Sequence, residues 1–454
     1  MKKIILSIAT AVAICLTAQA QTLQTGYFVD NYAYAYRLNP AFCPDYTFIG
    51  LPGLSMDYAS AQSNFGLKSF FYPLNGKTVT FMHPEIQASE VLSGFKQGIN
   101  KLNAEIDVNL LAFSFKSRGT YGLIDVNLRN TIDATLPYEM MKFFKMGAEG
   151  GQSYDLSGFN TRATSFLEIG IASPWRVGRT VTFGMRTKAL VGVTDLYMNV
   201  DRLNVKLDRN QWQVSGQACV AGAYDGFNIA AKPSAAGNYE EVIDFPNITL
   251  NKPKGPNGVG FGVDFGVNID LGKWEISASI VDLGCIFWWH NLYGHTPETS
   301  WTYDGSEATV TDGSDTFGKT LENAANGFLE MFQFRKEYEN QELGLLPITG
   351  RVGVKRLMSS DLSFGGLLTY RYNEFCPIFE ARASADYLLR DKFDFTASVG
   401  VNNFGPVFGA MTNLRFSHLV LFAGVDAYAG KLSKQFIPLG RMNCSALFGA
   451  NLKF

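Results

Sequence analysis

Residues 440–454 read Gly440-Arg441-Met442-Asn443-Cys444-Ser445-Ala446-Leu447-Phe448-Gly449-Ala450-Asn451-Leu452-Lys453-Phe454. Counted back in twos, Phe454, Leu452, Ala450, Phe448, Ala446, Cys444 and Met442 form one set, all apolar or small. The interleaved set, Lys453, Asn451, Gly449, Leu447, Ser445, Asn443 and Arg441, is mostly polar or small. A two-residue period puts one face of a strand in an apolar medium and the other in a polar one.

The same alternation recurs upstream. Val259, Phe261, Val263, Phe265, Val267, Ile269 and Leu271 oppose Gly260, Gly262, Asp264, Gly266, Asn268 and Asp270. Phe379, Ala381, Ala383, Ala385 and Tyr387 oppose Glu380, Arg382, Ser384 and Asp386. Phe393, Phe395, Ala397, Val399 and Val401 oppose Lys392, Asp394, Thr396, Ser398 and Asn402. A soluble β-sandwich alternates too, but its strands usually hold about five or six residues. These segments run longer. Their connections also alternate between very short turns, such as Leu271–Lys273 and Arg390–Asp391, and long loops at 61–103, 131–160, 201–257 and 285–345. Short periplasmic turns and longer extracellular loops are the asymmetry of transmembrane barrels.

Counted this way, strands fall at 46–60, 104–116, 120–130, 161–174, 180–200, 258–271, 273–284, 346–357, 361–372, 377–389, 392–402, 406–416, 418–429 and 441–454. The expected fold class is all-β, a transmembrane antiparallel β-barrel of about fourteen strands, within a range of twelve to sixteen. The 201–220 stretch alternates as well and reads as a hairpin standing above the membrane. Helical spacing over Ile86, Val91, Leu92, Phe95 and Ile99, over Tyr138–Met146 and over Leu321–Phe332 predicts short helices in the extracellular loops.

Composition agrees. The 454 residues include 45 Gly, 36 Phe and 20 Tyr but only 16 Pro, and mean hydropathy is zero. Outward apolar and inward polar residues cancel in such barrels. At the N-terminus, Lys2 and Lys3 precede the apolar run Ile4–Leu16 and the small-x-small site Ala18-Gln19-Ala20. This predicts a signal peptide over 1–20. The apolar run falls short of the roughly 20 residues that span a bilayer, and Ile14 before Cys15 makes a poor lipobox. Together the two ends place the protein in the outer membrane of a Gram-negative bacterium, with outer-membrane lipid as its surroundings. Removing Lys2 and Lys3 from 39 basic residues leaves the mature chain slightly acidic against its 41 carboxylates. Nothing in that balance suggests nucleic acid. Cys43, Cys219, Cys285, Cys376 and Cys444 are odd in number and match no zinc spacing, so free thiols are expected.

Chemistry-bearing motifs are sparse. His290 and His295 stand near Trp288, Trp289 and Trp301, where interface aromatics explain them better than a metal site. No strand pairs a Ser with a His for nucleophilic catalysis, so no enzyme, metal or cofactor is expected. The lumen face is more informative: Arg371, Glu380, Arg382, Asp386, Asp394, Asn413 and Arg415 share the inward parity. Their interleaved signs argue for mutual pairing that fills the barrel rather than a substrate path. Single-sign rings, which favour ion selectivity, are absent from this set.

Several stretches carry resemblances. The aromatic end of the last strand resembles the C-terminal signal that outer-membrane barrels present to the barrel assembly machinery. Leu38-Asn39-Pro40-Ala41-Phe42 resembles the motif near the N-terminus of FadL-type fatty-acid channels and of PorV-like barrels of Bacteroidetes. Phe65–Lys77, Phe81-Met82-His83-Pro84 and the stretch from Leu128-Arg129-Asn130 to Leu136-Pro137 resemble a family of large Bacteroidetes outer-membrane proteins, matching over most of the mature chain. The FadL resemblance implies fourteen strands and an N-terminal plug. The segment 21–45 is short for that plug and reads as a periplasmic N-terminal piece, with an entry turn at Asn39 and Pro40, ahead of a barrel over 46–454. The implied role is passage or capture of a hydrophobic or amphipathic small molecule, with Phe70, Phe71, Phe328, Phe332 and Phe334 as apolar loop contacts. Two alternatives stand beside it: a PorV-like partner or shuttle of the type IX secretion system, contacting secretion-system components, and a closed structural barrel.

Overall fold

Strand alternation of this kind closes only if the last strand finds the first. In the computed structural model it does. Residues 23–454 are described, except 52, 118–119, 148–151, 208–210, 240, 297–298, 304–325, 328–329, 338–339, 391 and 429–439. The barrel strands are β1 (Phe48–Gly50, continued by Asp57–Ser63), β2 (Ile99–Ser117), β3 (Thr120–Pro137), β4 (Asn160–Val177) and β5 (Val181–Leu207). They continue with β6 (Gly258–Asp270), β7 (Trp274–His290), β8 (Asn340–Leu345, continued by Thr349–Leu357), β9 (Leu362–Arg371) and β10 (Ile378–Leu389). The last four are β11 (Phe393–Asn402), β12 (Gly405–Arg415), β13 (Leu419–Ala427) and β14 (Met442–Lys453).

Each strand pairs antiparallel with its neighbour, and β14 returns to β1 with Asp57 opposite Phe448 and Ser63 opposite Met442. The result is a closed fourteen-stranded antiparallel barrel, as the period predicts. In β14, Asn443, Ser445, Leu447, Gly449 and Asn451 are buried, while Ala446, Phe448 and Leu452 face out. Phe113, Trp175, Phe261, Leu368, Phe395 and Phe408 join them on an exposed apolar outer surface. So broad an apolar exterior suits hydrocarbon rather than water. Among the described residues no helix is long and apolar enough to cross a membrane, which says nothing of a barrel of strands.

The wall is uneven. Strands β2–β5 hold 18 to 27 residues, whereas β9–β14 hold 9 to 12. At about 3.3 Å per residue, one side stands far taller than the other. The extra height lies toward the long-loop rim. It absorbs much of the expected 201–257 and 285–345 loops: β5 runs on into a hairpin with Trp212–Ala223, and β7 continues to His290 against Asn340–Leu345. The loops between β1 and β2 and between β3 and β4 carry α1 (Ala88–Ser93) and α2 (Tyr138–Met146). α1 is shorter than the 86–99 spacing suggested. Most of the expected helix at 321–332 lies outside the described residues.

The N-terminal segment departs from expectation most. Residues 23–45, expected as part of a periplasmic N-terminal segment over 21–45, pack inside the barrel at the short-turn end. Tyr27, Tyr32, Tyr34, Tyr36 and Leu38 are buried. The physical reason is their chemistry: a run of aromatics left in water exposes more apolar area than a linker tolerates, and the wide lumen needs filling.

Candidate functional site

The N-terminal segment is held by partners on both sides of the wall. Tyr34 Oη donates to Asn451 at 3.0 Å, and Tyr36 Oη donates to Asp125 at 2.7 Å. Burial pushes both tyrosine hydroxyls well above the ordinary phenol range, so they act as neutral donors. Arg37 pairs with Asp107. Lys355 Nζ meets Asp30 at 2.6 Å, and Arg415 donates to the Asp30 carbonyl at 2.7 Å. Thr25 hydrogen-bonds Ser398 at 2.6 Å and also donates to Asp426. Strands from across the barrel therefore converge on one short stretch of chain.

The Asn39-Pro40 turn is the deepest part of that seat. Asn39 Nδ2 donates to the carbonyls of Val267 and Ala278 at 3.2 and 3.3 Å, while its Oδ1 accepts the Ala41 amide at 3.0 Å. Ser279 Oγ donates to the Leu38 carbonyl at 2.8 Å. Gly184 and Gly266 are cross-strand partners on β5 and β6. A Cβ on Gly184 would overlap the Pro40 carbonyl, and one on Gly266 would overlap Asn39 Oδ1. The two glycines make a flat place in the wall that admits the turn.

Beside this seat lies a buried ionic network that the sequence reading did not assemble. Arg129 reaches Glu168 at 2.8 Å and Asp282 at 2.7 Å. Arg186 reaches Asp125 at 2.7 Å and Glu168 at 2.6 Å. Lys188 reaches Asp264 at 2.7 Å and Asp282 at 2.5 Å. A buried charge is tolerable when it is both paired and hydrogen-bonded, and each of these cations has two acids. The voids left between them are small: one, lined by Arg37, Arg129, Arg186, Lys188, Asp282 and Arg351, measures about 20 Å³.

The lumen residues expected from parity all face inward and are buried. They form several smaller groups rather than one row. Arg382 meets Glu380 and Asp426, each at 2.8 Å, Arg415 meets Asp394 at 3.0 Å, and Asn413 donates to Asp394 at 3.3 Å. Asp386 accepts Thr396 at 2.6 Å, and Arg371 pairs with Glu105 across the lumen from β2.

Toward the long-loop rim the lumen opens. A cavity of about 310 Å³ is lined from β3 and β4 by Thr131, Asp133, Arg162, Thr164 and Phe166, and from β7 by Ile286 and Trp288. Residues 342–347 of β8 and its break, and 372–375 of the β9–β10 connection, complete it. Arg162 is held from behind by Asp195, with Nε at 2.9 Å and Nη2 at 2.8 Å. His290, expected within the 285–345 loop, is buried against the same Asp195 at 3.1 Å; His295 sits apart, 3.2 Å from Glu337. Among the described residues no three His, Cys, Asp or Glu side chains cluster to hold a metal.

The loop phenylalanines divide. Phe70 packs against Phe65, Phe81 and Phe95 in a cluster that ties α1 to α2. Phe334 is buried with Val200, Ile243 and Leu292. Both are core residues of the loop caps rather than the apolar contacts expected of them, because the caps need their own apolar interior to stay folded. Phe71 and Phe332 are exposed, and Phe328 lies outside the described residues.

Several solved structures resemble this one. A FadL homologue of Pseudomonas aeruginosa is 10% identical, with 96% of this chain and 99% of that chain covered and a TM-score of 0.44. The Ralstonia pickettii toluene transporter TbuX is 9% identical over 93% and 94% of the two chains, with a TM-score of 0.42. The Pseudomonas putida toluene transporter TodX is 8% identical over 96% and 94%, with a TM-score of 0.40. The fourteen-stranded architecture rests on the strand pairing itself, not on these likenesses. No curated protein matches the sequence. A family model does, over residues 40–426, and the chain belongs to that family, a family of unknown function designated DUF5723.

Proposed function

We propose that this protein is an outer-membrane barrel that captures a small amphipathic molecule at its long-loop side and passes it on when the N-terminal segment shifts. One observation carries the reading: a cavity of about 310 Å³ lies on the long-loop side of a lumen otherwise filled by residues 23–45 and ion pairs. Its volume is at the lower end of ligand pockets, about 300–1,000 Å³, and its lining sets an apolar wall beside a comparable share of polar and charged side chains. The apolar outer surface supports a location in the outer membrane of a Gram-negative bacterium, with lipid around the wall. The paired, outward-aromatic β14 supports delivery there by the barrel assembly machinery.

The test locks the plug. Thr25 and Ser398 have their hydroxyls 2.6 Å apart, so T25C/S398C places two thiols within bonding reach. In proteoliposomes, uptake of a radiolabelled phenylalkylamine is expected in the reduced variant and absent in the oxidised one, while binding persists in both. Equal uptake by both forms contradicts passage past the segment. Co-purification of secreted proteins without uptake favours the type IX shuttle, and neither result favours a closed structural barrel.

A further inference from the structure

The cavity's charge selects its ligand. Arg162 is its only cation among the described lining residues, and that guanidinium is already engaged by Asp195 through Nε and Nη2. Its remaining Nη1 lies 3.7 Å from Glu342 and 3.7 Å from Glu374. These are loose contacts, since charge-assisted pairs close to about 2.7–2.9 Å. Glu374 is 66% exposed and Glu342 32%, and the further partner of Glu342 is the neutral hydroxyl of Tyr197. A third lining carboxylate, Asp133, is held by the neutral amides of Asn103 and Asn373 at 2.8 and 2.9 Å. The lining therefore carries more acid than base, set beside the apolar wall of Phe166, Ile286 and Trp288.

We infer that this cavity binds a small organic cation, an ammonium group on an aromatic or aliphatic body. The inference rests on the capture reading above and names its ligand class. An ammonium donates to the glutamates that Arg162 leaves loosely paired, and its body covers the apolar wall; aromatic faces add attraction for a cation. A carboxylate ligand would meet three acids, and a neutral ligand would leave them as they are. A further cation, Arg129, stacks on the lining Phe166 at 5.3 Å but is bound to Glu168 and Asp282.

The experiment compares matched probes on the full chain in detergent at pH 7 and low salt: 2-phenylethylamine, 2-phenylethanol and 3-phenylpropanoate, followed by isothermal titration calorimetry. The amine is expected to bind about tenfold tighter than the alcohol, with the acid weakest. E342Q and E374Q are each expected to weaken the amine about threefold, as half-exposed ion pairs do, without changing the alcohol. The inference is overturned if the alcohol or acid binds as tightly as the amine, if neither glutamine variant alters amine binding, or if the amine does not bind. Uptake of the radiolabelled phenylalkylamine into proteoliposomes of the same preparation separates the two claims. Uptake without amine preference removes only the ligand class, whereas loss of all binding and uptake removes the capture reading as well.

Discussion

In the short-turn half of the lumen, Arg129, Arg186 and Lys188 each close on two or more carboxylates at 2.5–2.8 Å. In the long-loop half, Glu342 and Glu374 stand 3.7 Å from a guanidinium that Asp195 already holds. The same inward face of the same strands builds both regions. Where the N-terminal segment fills the space, water is excluded and charges must satisfy one another, because an unpaired buried charge is costly. Where the tall wall of β3–β5 and β7 outruns the short wall of β9–β14, Glu342 meets, among the described residues, only the neutral Tyr197 hydroxyl besides Arg162, and Glu374 is mostly exposed. They remain partly wet and open to a ligand. On the proposal above, sealing belongs to one half and recognition to the other.

That contrast can be broken from the sealed side first. Glu168→Ala leaves Arg129 and Arg186 each short of a buried acid and should cost about 3–5 kcal/mol, read as a lower urea midpoint in detergent. A loss under about 1 kcal/mol would mean that water reaches the network. Gly184→Ala drives a methyl into the Pro40 carbonyl, an overpacking cost of about 1–3 kcal/mol. Its signature is trypsin cleavage after Arg37, buried in the wild type and accessible once the turn is displaced; continued resistance would remove the glycine seat from the account. Asn39→Ala keeps the space but loses the bonds to Val267 and Ala278, and should cost about 1 kcal/mol in the same urea assay. On the open side, Glu374→Gln should change stability by less than about 0.5 kcal/mol. A larger loss would show that Glu374 supports the wall instead of awaiting a ligand.

Much of this was legible in the sequence, for a reason that also marks its limit. A period of two is a direct record of which face meets lipid, so the strand count and the inward set from Arg371 to Arg415 follow from parity alone. The network on β3–β7 has the same inward parity, with Asp125 and Arg129 in phase on β3 and Arg186 and Lys188 in phase on β5. Its assembly was hidden because parity says which way a side chain points, not which residue it meets across the lumen. Irregularities added to this: the register of β6 against β7 shifts between Val263 and Phe265, and Asp282 adopts φ +63°, so simple alternation fails there. The plug was hidden differently. Tyr32, Tyr34 and Tyr36 alternate like a strand but lie in turns and short 3-10 pieces. The available signal was aromatic density: Tyr27, Phe28, Tyr32, Tyr34 and Tyr36 are too apolar a run for a solvated linker.

Electrical conductance across a planar bilayer tests the division of the lumen most directly. The account predicts that the wild-type chain is closed at steady voltage. A variant lacking residues 23–38, shown folded by its heat-modifiable gel mobility, should hold a stable open conductance. A wild-type chain that conducts as freely as the shortened one would contradict the account, because residues 23–45 would then not seal the short-turn half.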